Sequence, residues 1–241
     1  MKPELLNVKI FADGANLNEI KGLAENPLIK GFTTNPTLMR QAGVDDYETF
    51  ARQVLEVVTD RPVSFEVFAD DAEGMLAQAR AIATWGDNVN VKIPYTNTKG
   101  ELMTGVVEQL AGAGVQVNVT AMMTVDHVRN VEKVLNADVP AIVSVFAGRV
   151  ADTGVDPLPL MTEAAKILKN KPKADLLWAS PRELLNIYHA EQSGCGIITV
   201  THGLLAKLAA VGKNLDQFSL ETVQMFYNDA SAAGYTIRTK S

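Results

Sequence analysis

Eight short apolar segments, separated by stretches with helical spacing, constrain this chain more than any other feature. The segments fall at about residues 7–12, 29–34, 63–68, 88–93, 115–120, 139–146, 174–180 and 196–200. Amphipathic stretches lie between them, at 15–25, 36–58 with a break near Gly43, 71–86, 99–113, 124–136, 157–170 and 181–193. A strand followed by a helix, repeated, predicts parallel strands, because a helical crossover must carry the chain back to the start of each next strand. Such crossovers are right-handed, and about eight of them predict an α/β fold closed into a (β/α)8 (TIM) barrel. A doubly wound open sheet is the alternative. It normally opens on a glycine-rich turn, whereas Asp13-Gly14-Ala15-Asn16 holds one glycine and no dinucleotide fingerprint.

The length of 241 residues suits one such barrel. Residues 1–241 are therefore expected to form a single domain, with 204–241 left over as a C-terminal helical tail. Leu204, Leu205 and Leu208, then Leu220, Val223, Phe226 and Tyr227, carry helical spacing. This tail either covers the barrel base or docks on a neighbouring subunit. Residues 234–241 read as a frayed end.

Side chains alternate faces along a strand, and that rule separates the polar residues from the apolar ones. Val8, Ile10 and Ala12 oppose Phe11 and Asp13. Val63, Phe65 and Val67 oppose Ser64 and Glu66. Val89, Val91 and Ile93 oppose Asn88, Asn90 and Lys92. Val115, Val117 and Val119 oppose Gln116, Asn118 and Thr120, and Val143 and Val145 oppose Ser144 and Phe146. In a barrel the apolar face meets the helices and the other face points inward. Asp13, Glu66, Lys92, Asn118, Thr120 and Ser144 then converge near the C-terminal strand ends, where barrel enzymes hold their chemistry. Buried charges need partners or a task. Asp13 has the alternative of capping the next helix, and Glu66 with Lys92 has the alternative of an internal ion pair without chemistry. Lys92 precedes Ile93-Pro94 among apolar neighbours and cannot easily reach water. Desolvation disfavours its ammonium form, and the free amine is a nucleophile for carbonyls.

Composition removes other classes. A net charge of −6 with scattered Lys and Arg gives no electrostatic footprint for nucleic acid. No apolar run reaches the ~18–20 residues of a membrane span, and Met1-Lys2-Pro3-Glu4 opens no signal-peptide core. Cys195 is the only cysteine, which excludes an intrachain disulfide and makes the cytoplasm the default location. His127, His189 and His202 lie apart without metal-ligand spacing, so no metal site is expected. His202 sits near the end of the eighth strand and is a candidate for the mouth. Cys195 and Trp85 read as packing residues. Trp178 reads as a packing residue too, with the pocket as its alternative because it shares strand parity with Ser180.

Seven short motifs in order carry a resemblance to the transaldolase family of class I aldolases, from about Ile10 to Leu205. They are Phe11-Ala12-Asp13, Thr33-Thr34-Asn35-Pro36, Ser64-Phe65-Glu66-Val67, Val91-Lys92-Ile93-Pro94, Asn118-Val119-Thr120, Ser144-Val145-Phe146-Ala147-Gly148-Arg149 and Ala179-Ser180-Pro181-Arg182. The resemblance implies a (β/α)8 barrel that needs no cofactor and no metal. It implies that Lys92 forms the Schiff base, that Asp13 is the general base, and that Glu66 and Thr120 hold the proton-shuttling water. It implies that Asn35 and Asn118 bind the dihydroxyacetone hydroxyls, with Thr33, Ser144 and Phe146 lining the pocket. Arg149, Ser180 and Arg182 are implied to hold the distal phosphate of a sugar phosphate. Homo-oligomers are implied too, a dimer or a ring-shaped decamer.

The family has a transferase branch and a lyase branch that splits fructose 6-phosphate. Glu66 and Phe146 stand where the lyase branch commonly has Gln and Tyr, which favours transfer. Gly14, Val145, the Ala121-Met122-Met123-Thr124 stretch and the 149–157 stretch depart from the family pattern. They border the pocket and leave room for a non-standard ketose, such as a sulfonated one. A non-catalytic sugar-phosphate-binding protein on the same barrel is the remaining alternative, and the intact lysine, aspartate and glutamate set argues against it.

Overall fold

In the computed structural model, which describes residues 2–239, eight parallel strands close on themselves in chain order. They are β1 (Lys9–Asp13), β2 (Ile29–Thr33), β3 (Val63–Glu66), β4 (Val89–Pro94), β5 (Val117–Met122), β6 (Ala141–Val145), β7 (Ala174–Trp178) and β8 (Ile197–Thr201). Around and beyond them run α1 (Leu17–Ala24), α2 (Pro36–Gln41), α3 (Tyr47–Val57), α4 (Ala72–Ala83), α5 (Thr104–Gly112), α6 (Val125–Val134), α7 (Ala147–Asp152), α8 (Leu158–Leu168), α9 (Leu185–Ser193), α10 (His202–Leu205) and α11 (Leu215–Ala232). The fold is a (β/α)8 barrel with a C-terminal helix.

Local chemistry starts several of these helices. Asn16, Asn35, Asp46, Asp71 and Thr124 each accept a backbone N–H of the helix that follows. Such a cap is worth ~1 kcal/mol. Asn16 caps α1, so Asp13 is left out of that role. The expected break near Gly43 separates α2 from α3.

Alternate strand residues such as Ile10, Phe65, Val91, Val119, Val143 and Trp178 face outward and pack beneath the helices in the main core. The barrel interior is divided. Phe11, Ile142, Leu177, Ala179 and Ile197 form a separate apolar cluster inside the arc of β6, β7, β8 and β1, with Phe146 packed against it. Room for Phe11 comes from Gly31 on β2, where a Cβ atom would lie 2.5 Å from the phenyl ring. The arc from β2 to β5 is polar instead: Thr33, Ser64, Asn90, Lys92, Asn118 and Thr120 are all buried there, with Glu66 half-buried beside them.

Several elements differ from the sequence expectation. Helix α5 begins at Thr104, not 99, because residues 96–102 form a loop closed by a Thr96–Leu102 bridge and the buried Asn97. Helix α7 occupies part of what reads as loop, and no side chain caps it to announce its start. Strand β7 ends at Trp178, because Ser180 takes the left-handed conformation with φ 56° and breaks the alternation. Trp178 is therefore a core residue facing the helices, not a pocket residue.

Among the described residues no helix is long and apolar enough to cross a membrane. No residue of α11 is buried, and Leu215, Phe218, Val223, Phe226 and Tyr227 are exposed. This helix does not cover the barrel base. Residues 235–239 have no regular structure, and Lys240 and Ser241, also read as frayed, lie outside the described residues.

Candidate active site

The C-terminal ends of β1 to β5 bring the polar residues together. Lys92 lies on β4 in register with Glu66 on β3. Its Nζ is 3.0 Å from Glu66 Oε2 and donates to the backbone carbonyl of Thr34 at 2.7 Å. Its side chain is 8% exposed and that of Glu66 is 18% exposed, so the ammonium has little water and depends on these two acceptors. Glu66 is itself held from behind. The Tyr47 hydroxyl donates to its carbonyl at 3.0 Å and accepts from its N–H at 2.7 Å. Burial pushes the Tyr47 phenol above its ordinary range, which keeps it a neutral two-way bridge.

Asp13 ends β1. Thr33 Oγ1 donates to its Oδ1 at 2.7 Å, and Asn35 Nδ2 lies 3.4 Å from its Oδ2. Asn35 reaches this position because its other amide atom, Oδ1, caps α2 by accepting from Leu38 N at 3.0 Å. One residue thus starts a helix and faces the site. Burial is the main cause that raises the Asp13 carboxyl above its ordinary value. The Lys92 charge and the bonds from Thr33 and Asn35 pull it back in part, and the Glu66 charge adds to the rise.

Asn118 sits between two hydroxyls. Its Nδ2 donates to Ser64 Oγ at 3.0 Å, and its Oδ1 accepts from Ser144 Oγ at 2.7 Å. All three are buried, so the amide orientation is fixed before any ligand arrives. Thr120 is also buried. Ala121, next in the chain, has φ 62°, and the β5–β6 register shifts between Val119 and Met122. A non-glycine residue in that region stores strain, and strain of this kind clusters at functional sites.

On the other side of the mouth lie the arginines. The Arg149 guanidinium stands 5.7 Å over the Phe146 ring and is exposed. Gly148 lets the segment after β7 approach closely. A Cβ there would sit 1.5 Å from the Ser180 carbonyl oxygen, so any other residue would push the two segments apart. Gly148 N donates to the Ala179 carbonyl at 3.2 Å, which ties them. Arg182 is not free in this arrangement. Its Nε donates to Asp152 Oδ1 at 3.0 Å, and its Nη2 bonds Asp152 Oδ2. The pair is about half exposed, so it is screened by solvent and separable by a competing anion.

Strand parity therefore locates Asp13, Glu66, Lys92, Asn118, Thr120 and Ser144 together with Thr33 and Asn35, while Arg149, Ser180 and Arg182 lie on abutting segments. Sequence reasoning misses Tyr47, the Thr34 carbonyl, the Asp152 partner of Arg182, and Thr199. Thr199 Oγ1 lies 2.5 Å from Thr33 Oγ1. The alternation Ile197, Thr199, Thr201 carries a signal for it, whereas the other three contacts depend on tertiary approach. His202 is at the rim, with its Nδ1 3.1 Å from Glu19 Oε1. Cys195 is buried with its thiol pushed up to about 12, which makes it inert. Trp85 packs edge-on against Tyr47 and Phe65.

Comparison with known proteins places this site in context. The family described as Transaldolase/Fructose-6-phosphate aldolase matches residues 10–237. A protein of Dehalococcoides mccartyi named "Probable transaldolase" is 36% identical over 203 residues, covering 83% of this chain and 90% of that protein. One of Listeria monocytogenes named "Probable transaldolase 2" is 35% identical over 203 residues, covering 83% and 88%. Among solved structures, dihydrodipicolinate synthase from Rhodopseudomonas palustris superposes with a TM-score of 0.57 at 15% identity, over 95% of this chain and 81% of that one. At that identity the likeness is one of barrel fold alone.

Proposed function

The chain belongs to the transaldolase/fructose-6-phosphate aldolase family, and from that premise we propose that it is a transaldolase moving a dihydroxyacetone unit from a ketose phosphate to an aldose phosphate through a Schiff base on Lys92. The observation that carries this reading is the buried Lys92 Nζ, 3.0 Å from Glu66 and within the electrostatic reach of Asp13.

In this reading Lys92 gives a proton to Glu66 and attacks the C2 ketone of the donor. Glu66 and Thr120 hold the water that carries protons as the carbinolamine loses hydroxide and becomes an iminium. Asp13 takes the proton of the C4 hydroxyl as the C3–C4 bond breaks. The electron pair moves through C3 into the iminium, giving an enamine, and the aldehyde leaves. An acceptor aldehyde then reverses these steps, with Asp13 returning the proton, and water releases the new ketose. Asn35 and Asn118 bind the hydroxyls of the retained unit, while Thr33, Ser144 and Phe146 line the pocket. Arg149, Ser180 and Arg182 bind the distal phosphate, for which the guanidinium fork is suited. Phe146 supports transfer over simple cleavage. It brings no hydroxyl to protonate the enamine, which then persists until the acceptor arrives.

Borohydride reduction in the presence of fructose 6-phosphate is the test. The expected result is a mass adduct on the peptide carrying Lys92. An adduct on another lysine, or none, rejects the assignment. Free dihydroxyacetone released without an acceptor moves the reading to the lyase.

The same reading takes residues 1–241 as one cytoplasmic domain that assembles with copies of itself, as a dimer or a ring-shaped decamer. Two features support assembly: the exposed apolar side chains of α11, such as Phe218, Val223 and Phe226, and an apolar concavity lined by Leu5, Leu184, Leu185, Tyr188 and Val211. Light scattering on the full chain and on a chain ending before Leu215 checks it. A shortened chain that keeps the same number of subunits in solution as the full chain overturns a role for α11.

A further inference from the structure

We propose that Thr199 is a positioning residue for proton transfer at Asp13, acting through the Thr33 hydroxyl. The inference rests on the reading of Asp13 as the proton acceptor. The geometry is a three-member chain across three adjacent strands. Thr199 Oγ1 on β8 lies 2.5 Å from Thr33 Oγ1 on β2, and Thr33 Oγ1 lies 2.7 Å from Asp13 Oδ1 on β1 between them. Thr199 pairs in register with Phe11, and Asp13 with Thr201, so Thr199 stands one interior layer below the carboxylate. Thr199 and Thr33 are 6% and 4% exposed, which leaves their hydroxyls to each other rather than to bulk water.

The donor directions follow from inventory. An ionised carboxylate only accepts, so Thr33 spends its single proton on Asp13 Oδ1. The contact between the two threonines then requires Thr199 to donate to Thr33. Thr199 thereby holds the Thr33 proton on Oδ1. Oδ2, the oxygen on the Asn35 side, remains as the one that takes the proton from the substrate hydroxyl. Without the Thr199 hydroxyl, Thr33 can turn, Oδ1 loses a fixed donor, and the carboxylate is less well stabilised in its burial.

The test compares Thr199→Val, which keeps shape, with Thr199→Ser, which keeps the hydroxyl. In Thr199→Val, kcat is expected to fall about five- to tenfold, the size of one lost hydrogen bond. KM is expected to stay within about twofold, and the acid limb of kcat/KM to move to higher pH. Thr199→Ser keeps the wild-type limb and most of the rate. Borohydride trapping on Lys92 is unchanged in both, because the imine forms before carbon–carbon cleavage. In a Thr33→Val background the Thr199→Val change is expected to have no further effect, since the chain is already cut.

A Thr199→Val profile coincident with wild type overturns the proposal. So does a Thr199→Ser variant as slow as Thr199→Val, which marks a purely steric role. If Thr199→Val does not fold, the Thr199→Ser profile and Thr199→Ala decide the question by the same limb shift. Absence of a Lys92 adduct in the wild-type protein is a different failure, that of the Schiff-base reading.

Discussion

Around the inside of this barrel, β6, β7, β8 and β1 present Phe11, Ile142, Leu177 and Ile197, while β2 to β5 present Thr33, Ser64, Glu66, Lys92, Asn118 and Thr120. The two arcs obey the same alternation of side chains and differ in what they do for the protein. Burial of each large apolar side chain contributes ~2–3 kcal/mol to stability. The polar arc returns far less. Its Lys92–Glu66 pair must recover a desolvation cost of several kcal/mol per ion, and its hydroxyls and amides do little more than satisfy one another. The apolar arc holds the barrel closed from within, and the polar arc, together with Asp13 at the end of β1, Ser144 on β6 and Thr199 on β8, keeps the groups proposed to react dry and oriented.

The comparison breaks if the polar arc proves to be structural, and Lys92→Ala is the sharpest way to find out. Activity and the borohydride adduct are both expected to vanish, read by turnover and by mass. The protein should still fold, with a loss of about 3 kcal/mol because Glu66 is left without its ammonium partner. A chain that fails to fold would make the pair a structural device first.

Asp13→Asn comes next. Turnover should fall by roughly 10²–10⁴-fold, the usual size of a general acid–base contribution. Stability should move the other way. Burial raises the carboxyl, so the folded protein binds this proton more tightly than the unfolded chain does. Stability is then greatest at low pH and declines as pH rises from the ordinary carboxylate value through the raised one. Above that window the ionised Asp13 therefore costs stability, and the asparagine variant is expected to melt higher than wild type there and to lose the pH slope within the window. The same shift places the acid limb of the wild-type rate profile above the usual carboxylate range.

Phe11→Ala tests the apolar arc. A stability loss of about 4 kcal/mol is expected by denaturant titration, with turnover of the folded fraction changed by less than about tenfold. Collapse of activity in a folded variant would mean that the apolar arc shapes the reacting groups directly. The smallest effect is expected at the rim, where Arg182→Ala should raise KM for phosphorylated substrates roughly 10–100-fold, as for a lost charge-assisted hydrogen bond. It should leave unphosphorylated ones nearly unchanged.

How much of this was legible in the sequence follows from which interactions are local. Period-two alternation is a property of consecutive residues, so the inward positions of Asp13, Glu66, Lys92, Asn118, Thr120 and Ser144 can be read before any fold is known. The same rule fails at Ser180, while the packing reading of Trp178 holds. Ser180 leaves the strand conformation, and parity cannot be carried through a left-handed residue. Helix α7 is short and starts without a side-chain cap, so nothing local announces it. The pairing of Arg182 with Asp152 spans 30 positions, and the hold of Tyr47 on Glu66 spans 19. Both depend on how loops approach one another. The unburied α11 was legible as a helix from its spacing, while its lack of cover within one protomer is a fact of the tertiary structure.

The order of residues along the chain adds one more consequence. Every reacting group proposed here, from Asp13 to Thr120, is encoded before the 135–140 loop, and the residues proposed to hold the anion, Arg149, Ser180 and Arg182, are encoded after it. Among the described residues, two hydroxyl contacts of the pocket interior cross this boundary, Ser144 to Asn118 and Thr199 to Thr33, and the rim contact of His202 with Glu19 crosses it as well. A recombinant gene joined at that loop to a relative's second half would inherit the bond-making apparatus whole and exchange the anchor as a unit. Substrate range can thus be swapped like a cartridge, provided that the incoming half supplies a hydroxyl at each of two positions.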